Sequence, residues 1–279
     1  MQRNMQCGRY DLPLPDGERR PLVMGILNVT PDSFSDGGQF HNLDSALSHA
    51  EQMIADGVDI IDIGAESTRP GVGILPADEE LGRLLPVLYG LRDCGKPLSV
   101  DTRNPLVMRE ALLAGADMIN DVNGFRSADA VAAVANSGCG LCVMHMQNDP
   151  ETMQLDPHYD DVVEEVAAFL QDAVARLEAA GVERARLCID PGFGFGKNLD
   201  HNLRLLRELR QVKEKLRLPM LVGLSRKSVV GHLTGKPVAG RLAGSLAAAL
   251  AAADRGADII RVHDVAATVD ALKVWRALT

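Results

Sequence analysis

Eight short apolar runs rich in branched residues alternate with segments whose apolar residues recur at three-and-four spacing, and few folds can accommodate that alternation. The runs are Val23–Thr30, Val58–Ala65, Leu98–Thr102, Met118–Val122, Leu141–Met146, Leu187–Pro191, Leu221–Ser225 and Ile259–Val265. Between and after them lie Leu43–Ala55, Leu81–Leu91, Leu106–Leu113, Ala128–Ala135, Val162–Ala179, Leu203–Leu216, Leu242–Ala253 and Val269–Leu278, whose spacing predicts helices. Near-continuous apolar strands joined by helices make a parallel sheet with covered faces. Eight such units in 279 residues favour closure into a (β/α)8 TIM barrel. A doubly wound sheet should carry a glycine fingerprint after its first strand, but this chain has Asn28-Val29-Thr30-Pro31 there. We therefore read 1–279 as one domain, with 1–21 as an N-terminal cap or hairpin turning at Asp16-Gly17 over the barrel floor and 22–279 as the barrel.

The composition sets outer limits on function. A formal charge of −9 opposes a phosphate backbone, so nucleic acid is not an expected general partner. No apolar stretch approaches the roughly 20 residues that span a bilayer, and Met1–Arg20 is too polar for a signal peptide, so a cytoplasmic location is expected. Five scattered cysteines are expected to stay reduced. Cys139 and Cys142 have a redox or zinc spacing, yet in a strand positions three apart face opposite ways, which favours a structural reading.

The strand runs end in residues that an apolar interior tolerates only when paired or used: Asn28, Glu66, Asp101, Asn120 with Asp121, His145, Asp190, Lys227, and Arg261 with His263. In a barrel they meet at the C-terminal face. Glu66 and Asp121 are open to a structural reading, as ties between neighbouring strands. Clustering Asp101, Asn120, Asp190, Lys227, Arg261 and His263 is too costly without a polar ligand. Arg261 and His263 lie two apart on one strand face and form a candidate anion clamp, while Ser225 and Lys227 share a side from which Arg226 points away. Asp190 beside the Asn120 amide suits the amino-oxo edge of a guanine-like or pterin-like ring. Asp190–Lys197 is not a phosphate loop, because Pro191 stands where the first glycine belongs and Asn198 where Ser or Thr belongs; its glycines instead let Phe195 approach a flat ligand. The first strand lacks the His-x-His of a metal-hydrolase barrel.

Across nearly its whole length the chain resembles the dihydropteroate synthases of bacterial folate biosynthesis. The resemblance rests on the order of GILNVTPDSFSDGG (25–38), ESTRPG (66–71), SVDT (99–102), INDV (119–122), VMHMQ (143–147), DPGFGFGKN (190–198), GLSRKS (223–228) and RVHDV (261–265). It implies a transferase joining 6-hydroxymethyl-7,8-dihydropterin diphosphate to 4-aminobenzoate, with Mg2+ as helper ion and a homodimer through the later helices. By matched motif, Asp101, Asn120, Asp190 and Lys227 would bind the pterin, with Met144 and Gly223 in its pocket and Arg261 stacked on its face. Asn28 would hold Mg2+ and diphosphate with His263 and Thr68. Asp36 and Arg69 would arrive on closing loops, and Phe34, Pro70, Phe195 and Ser228 would form the aminobenzoate pocket. Catalysis would fall to Asp101, Lys227, Arg261 and His263. Arg103-Asn104 departs from the pattern, where members often carry a Ser- or Tyr-Lys pair. The rival readings are a corrinoid-type pterin-binding methyltransferase barrel, which has little use for a diphosphate clamp, and a paralogue that binds pterin without turning it over.

Overall fold

The structure is a computed structural model that describes residues 4–16, 18–30, 39–66, 75–149 and 152–279. An antiparallel hairpin, β1 (Asn4–Cys7) and β2 (Tyr10–Pro13), comes first. The barrel then runs β3 (Leu22–Asn28), α1 (Gln39–Ala55), β4 (Ile60–Gly64), α2 (Ala77–Leu91), β5 (Leu98–Asp101), α3 (Pro105–Leu113), β6 (Met118–Asp121) and α4 (Ala128–Val134). It continues through β7 (Gly140–Met144), α5 (Val162–Ala179), β8 (Leu187–Asp190), α6 (Leu199–Arg207), α7 (Leu209–Leu216), β9 (Leu221–Val222), α8 (Ser228–Thr234), α9 (Leu242–Asp254), β10 (Ile259–Val262) and α10 (Val265–Leu278). Eight parallel strands pair in the order β8-β7-β6-β5-β4-β3-β10-β9. A bridge from Ile189 to Met220 closes the ring. The expected barrel is therefore observed, its strands in sequence order around the ring.

The period of two along each strand sorts side chains between the barrel interior and the helical shell. Val23, Ile61, Ile63, Val100, Ile119, Leu141, Val143, Leu187 and Ile189 face outward into one large core with the helices. α5 shows why a helix lies there: Val166, Leu170, Val174 and Leu177 line its buried face, and Asp161 caps its first turn by accepting from the Val163 and Glu164 amides. Met24, Ile60, Met118, Cys142, Cys188, Leu221 and Ile259 face inward at the barrel floor. Cys139 and Cys142 accordingly lie in different clusters, one outside the strand and one inside it.

The hairpin seals that floor, as the sequence predicts, but its turn differs. The chain reverses at Gly8-Arg9, between Cys7 and Tyr10, rather than at Asp16-Gly17, and Gly17 is outside the described residues. Gly8 has φ +56, and a Cβ there would come within 2.7 Å of Asp117. Met5, Cys7, Leu12 and Leu14 insert into the floor cluster. Each buried apolar side chain of this kind stabilises by roughly 1.5–3 kcal/mol. Arg9 fastens the turn through Asp117, at 2.9 Å from each of its carboxylate oxygens.

Candidate active site

The inward residues change character toward the C-terminal ends of the strands. Above the apolar floor come Asp62 on β4, Ser99 and Asp101 on β5, Asn120 on β6, Met144 on β7, Asp190 on β8 and Arg261 on β10. Asn28 ends β3 exposed at the mouth, and Gly223, Ser225, Lys227 and His263 follow β9 and β10. The resulting polar layer is fixed by strand register: Gly64 pairs with Asp101, Asp101 with Asn120, Met144 with Asp190, and Arg261 with Met24.

Arg261 organises this layer. Its Nε donates to Asp62 Oδ2 at 2.6 Å and its Nη2 to Asp101 Oδ2 at 2.7 Å, while Asn120 Nδ2 donates to Asp62 Oδ2 at 3.3 Å. Asp62 is fully buried and lies outside the set of strand-end residues. Its signal is the alternation Ile60, Asp62, Gly64, which puts a carboxylate on the interior face of an otherwise apolar strand. Burial opposes the Arg261 charge, but Asp62 and Asp101 hold it above its ordinary pKa. Burial pushes Asp101 up to about 7, with Arg261 opposing and Asp62 reinforcing the rise. These directions conflict across one ion pair; the 2.7 Å contact with a charged guanidinium favours the ionised carboxylate. Three buried polar atoms of the layer, Asp62 Oδ1, Ser99 Oγ and Asn120 Oδ1, lack any hydrogen-bond partner. Orphans in such a cluster are what a polar ligand would satisfy.

Opposite, Asp190 Oδ1 accepts from the Gly192 amide at 2.7 Å. Asp190 and Asn120 flank the strand carrying Met144 instead of touching. Lys227 Nζ donates to the Phe193 carbonyl and sits 4.6 Å from the Phe195 ring centroid. Burial lowers Lys227 to about 8, with Asp190 opposing, so the ammonium dominates at pH 7. Phe195 packs against Val122, Met144, Met146 and Met153. Ser228 opens α8, exposed beside Lys227.

His263 is positioned by Ser225, whose Oγ accepts from the His263 amide at 3.2 Å and lies 3.1 Å from Nδ1. When the hydroxyl proton points at Nδ1, Nε2 is left as the ring's N–H donor. Burial, with Arg226 and Arg261 adding to it, lowers His263 to about 4. The ring is thus neutral at pH 7 and offers a hydrogen bond rather than a charge. As expected, Arg226 turns away, to an ion pair with Asp264.

Asp121 and Glu66 hold the frame. Asp121 accepts from the Asn123 and Phe125 amides at 2.8 and 2.7 Å, shaping the turn after β6. Glu66 takes both arms of Arg103, at 3.0 and 2.9 Å, so the departure at Arg103 provides a tie between the ends of β4 and β5. His145 is buried against Lys197 rather than facing the mouth. Asn198 caps α6 in a capping box with His201, which accounts for an asparagine where a phosphate loop has a hydroxyl. Phe34, Asp36, Thr68, Arg69 and Pro70 lie outside the described residues.

Residues 24–263 match the family model for pterin binding enzymes. The chain is 50% identical to the dihydropteroate synthase of Neisseria meningitidis serogroup B, the match covering 98% of this chain and 96% of the relative. Among solved structures it is similar to Burkholderia cenocepacia dihydropteroate synthase complexed with 7,8-dihydropteroate, at 50% identity and a TM-score of 0.88, covering 99% of this chain and 96% of the other. Similarity to the Xanthomonas albilineans enzyme with 4-aminobenzoic acid gives 48% identity and a TM-score of 0.91, covering 100% of this chain and 98% of the other.

Proposed function

Because this chain belongs to the pterin-binding enzyme family and, within it, to the dihydropteroate synthases, we propose how its residues divide the labour of that reaction. The enzyme is a transferase of folate biosynthesis that joins 6-hydroxymethyl-7,8-dihydropterin diphosphate to 4-aminobenzoate, giving 7,8-dihydropteroate and diphosphate. The observation that carries the assignment is the polar layer around Arg261, with its three unpartnered buried atoms.

The pterin's amino-oxo edge and ring nitrogens meet Asp101, Asn120, Asp190 and Lys227, with Met144 and the side-chain-free Gly223 leaving room for a flat ring and Arg261 stacked on its face. An aryl amine is neutral at pH 7 and needs no strong base if the C9–O bond breaks first. The electron pair leaves with the diphosphate, the pterin spreads the resulting positive charge, the amine attacks C9, and its proton is then lost to solvent. Asp101 offsets the charge on the pterin, while Arg261 and the Nε2–H of His263 stabilise the departing oxygens. His263 acts here as a donor, without the positive charge of a protonated ring. Phe195 and Ser228 are assigned to the aminobenzoate; by matched motif Phe34 and Pro70 fall to the same substrate, and Thr68, Asp36 and Arg69 to the diphosphate.

Among the described residues no group of three or more His, Cys, Asp or Glu could hold a metal ion. Mg2+, however, is usually held by one or two protein oxygens together with substrate phosphates and water. Asn28 fits that role: its amide oxygen stands at the mouth facing Gly64, where an added Cβ would lie 3.9 Å from Asn28 Oδ1 and 3.6 Å from Asp101 Cβ. Bound Mg2+ would neutralise charge on the leaving diphosphate.

We further read residues 1–279 as one domain, located in the cytoplasm; among the described residues no helix is long and apolar enough to cross a membrane. A homodimer through α8–α10 is supported by exposed Leu233, Val238, Leu242, Val274 and Leu278. The test of function is diphosphate release by purified protein given both substrates and Mg2+, with dihydropteroate identified by mass. Tight pterin binding without turnover would overturn the catalytic reading.

A further inference from the structure

Lys197 lies outside the residues given a role above, yet it is only 3% exposed beneath the glycine loop that follows β8. Its Nζ meets His145 Nδ1 at 2.9 Å, the Gly192 carbonyl at 2.9 Å and the Phe195 carbonyl at 3.0 Å. Burial holds Lys197 well below its ordinary 10.5, with Asp190 opposing and Lys227 adding to the fall, yet charged or neutral the amine has enough N–H groups to donate to both carbonyls. Burial, with Lys197 and Arg126 adding to it, also holds His145 well below its ordinary pKa, so a neutral ring completes the amine's third contact through Nδ1. A buried amine is a poor way to fill space, and an apolar side chain of equal length often stabilises as well. What the amine adds is direction.

That direction is transmitted to the site. Lys197 grips the carbonyls of Gly192 and Phe195, while Lys227 grips that of Phe193 between them. The two lysines thus hold one loop at three of its carbonyls. The same loop supplies the Gly192 amide to Asp190 and the Phe195 ring to Lys227. Its path is tight: Gly192 has φ +69, and a Cβ there would fall 1.8 Å from the His145 carbonyl oxygen. From the rim, Tyr159 Oη donates to the Gly196 carbonyl at 2.7 Å, and the Gly194 amide donates to Asn202 Oδ1 at 2.7 Å.

We infer that Lys197 is a positioning residue for the transfer reaction, shaping the 192–196 loop so that Asp190, Lys227 and Phe195 are presented together to the pterin and the aminobenzoate. The inference rests on the site assignment above. Lys197→Met keeps the length and removes the three hydrogen bonds. In the full-length enzyme its KM for 4-aminobenzoate is expected to rise about tenfold and for the pterin diphosphate about fivefold, with kcat changed less than about threefold and the melting temperature near wild type. Tyr159→Phe, which loosens the loop only at its rim, should raise both KM values in the same direction by about twofold to threefold. A folded Lys197→Met enzyme with both KM values unchanged overturns the inference. If Lys197→Met does not fold, unchanged KM values in Tyr159→Phe overturn it instead. Absence of turnover in the wild type would count against the site assignment, and titrating the pterin diphosphate alone into wild type and Lys197→Met still decides the role of Lys197.

Discussion

At the scale of single residues, the site is governed by one guanidinium shared between two carboxylates. Arg261→Lys keeps the charge but cannot reach Asp62 and Asp101 with two directed N–H groups or stack on a ring, so kcat/KM should fall by about 10- to 100-fold. Asp101→Asn should lower kcat by roughly 100-fold, about 2.7 kcal/mol of lost charge stabilisation, with a smaller effect on diphosphate binding. An unchanged turnover number would remove Asp101 from the chemistry. His263 provides a pH test. Its folded pKa of about 4 lies below the ordinary 6.5, so the stability it contributes is present above 6.5 and is lost as pH falls toward 4. The melting-temperature difference between wild type and His263→Gln should therefore move against wild type from pH 7.5 to pH 5. Most of these residues were legible because each closes a motif at a strand end. Asp62 was not, because it sits two residues before the end of its strand, where no motif closes and only the alternation Ile60, Asp62, Gly64 marks the inward face.

Elements show how far pattern carries and where local geometry takes over. The single helix predicted over Leu203–Leu216 is two helices, broken at Glu208 with φ −102 and ψ 15, because the apolar spacing continues across a break that leaves Leu205, Leu209, Val212 and Leu216 all buried. α8 gave no helical signal: two β-branched valines and Gly231 argue against one. Tertiary contact explains the glycine, since a Cβ on it would lie 2.3 Å from Arg241 Nη2, and Arg241 holds the Arg226 carbonyl at 2.9 Å. In α2, Glu80 is 1% exposed with Oε1 unpartnered, and burial pushes it up to about 7 from 4.5. A raised carboxyl favours the fold while protonated, so this contribution is full below 4.5 and is lost as pH rises through 7. Glu80→Gln should accordingly raise the melting temperature at pH 8 by a few degrees, corresponding to at most about 2–3 kcal/mol, with little change at pH 5. Equal shifts at both pH values would show that Glu80 stays ionised.

For the whole molecule, the barrel is asymmetric along its axis: an apolar floor plugged by the hairpin, and a polar mouth that leaves hydrogen-bonding atoms unmatched. Stability and function are thereby separated to opposite ends, as the fold class allows. A second asymmetry runs around the wall. α9 contacts both α8 and α10, and this side exposes Leu233, Val238, Leu242, Val274 and Leu278, while α9 itself is alanine-rich enough for close approach. An isologous pairing through this side would bury the same residues on both copies. Sedimentation at micromolar concentration should give twice the chain mass. Leu242→Glu with Leu278→Glu should give a folded monomer, because these side chains are 42% and 81% exposed in the single chain and their replacement leaves its core untouched. A wild-type monomer, or a double variant that still dimerises, would place the contact elsewhere or remove it.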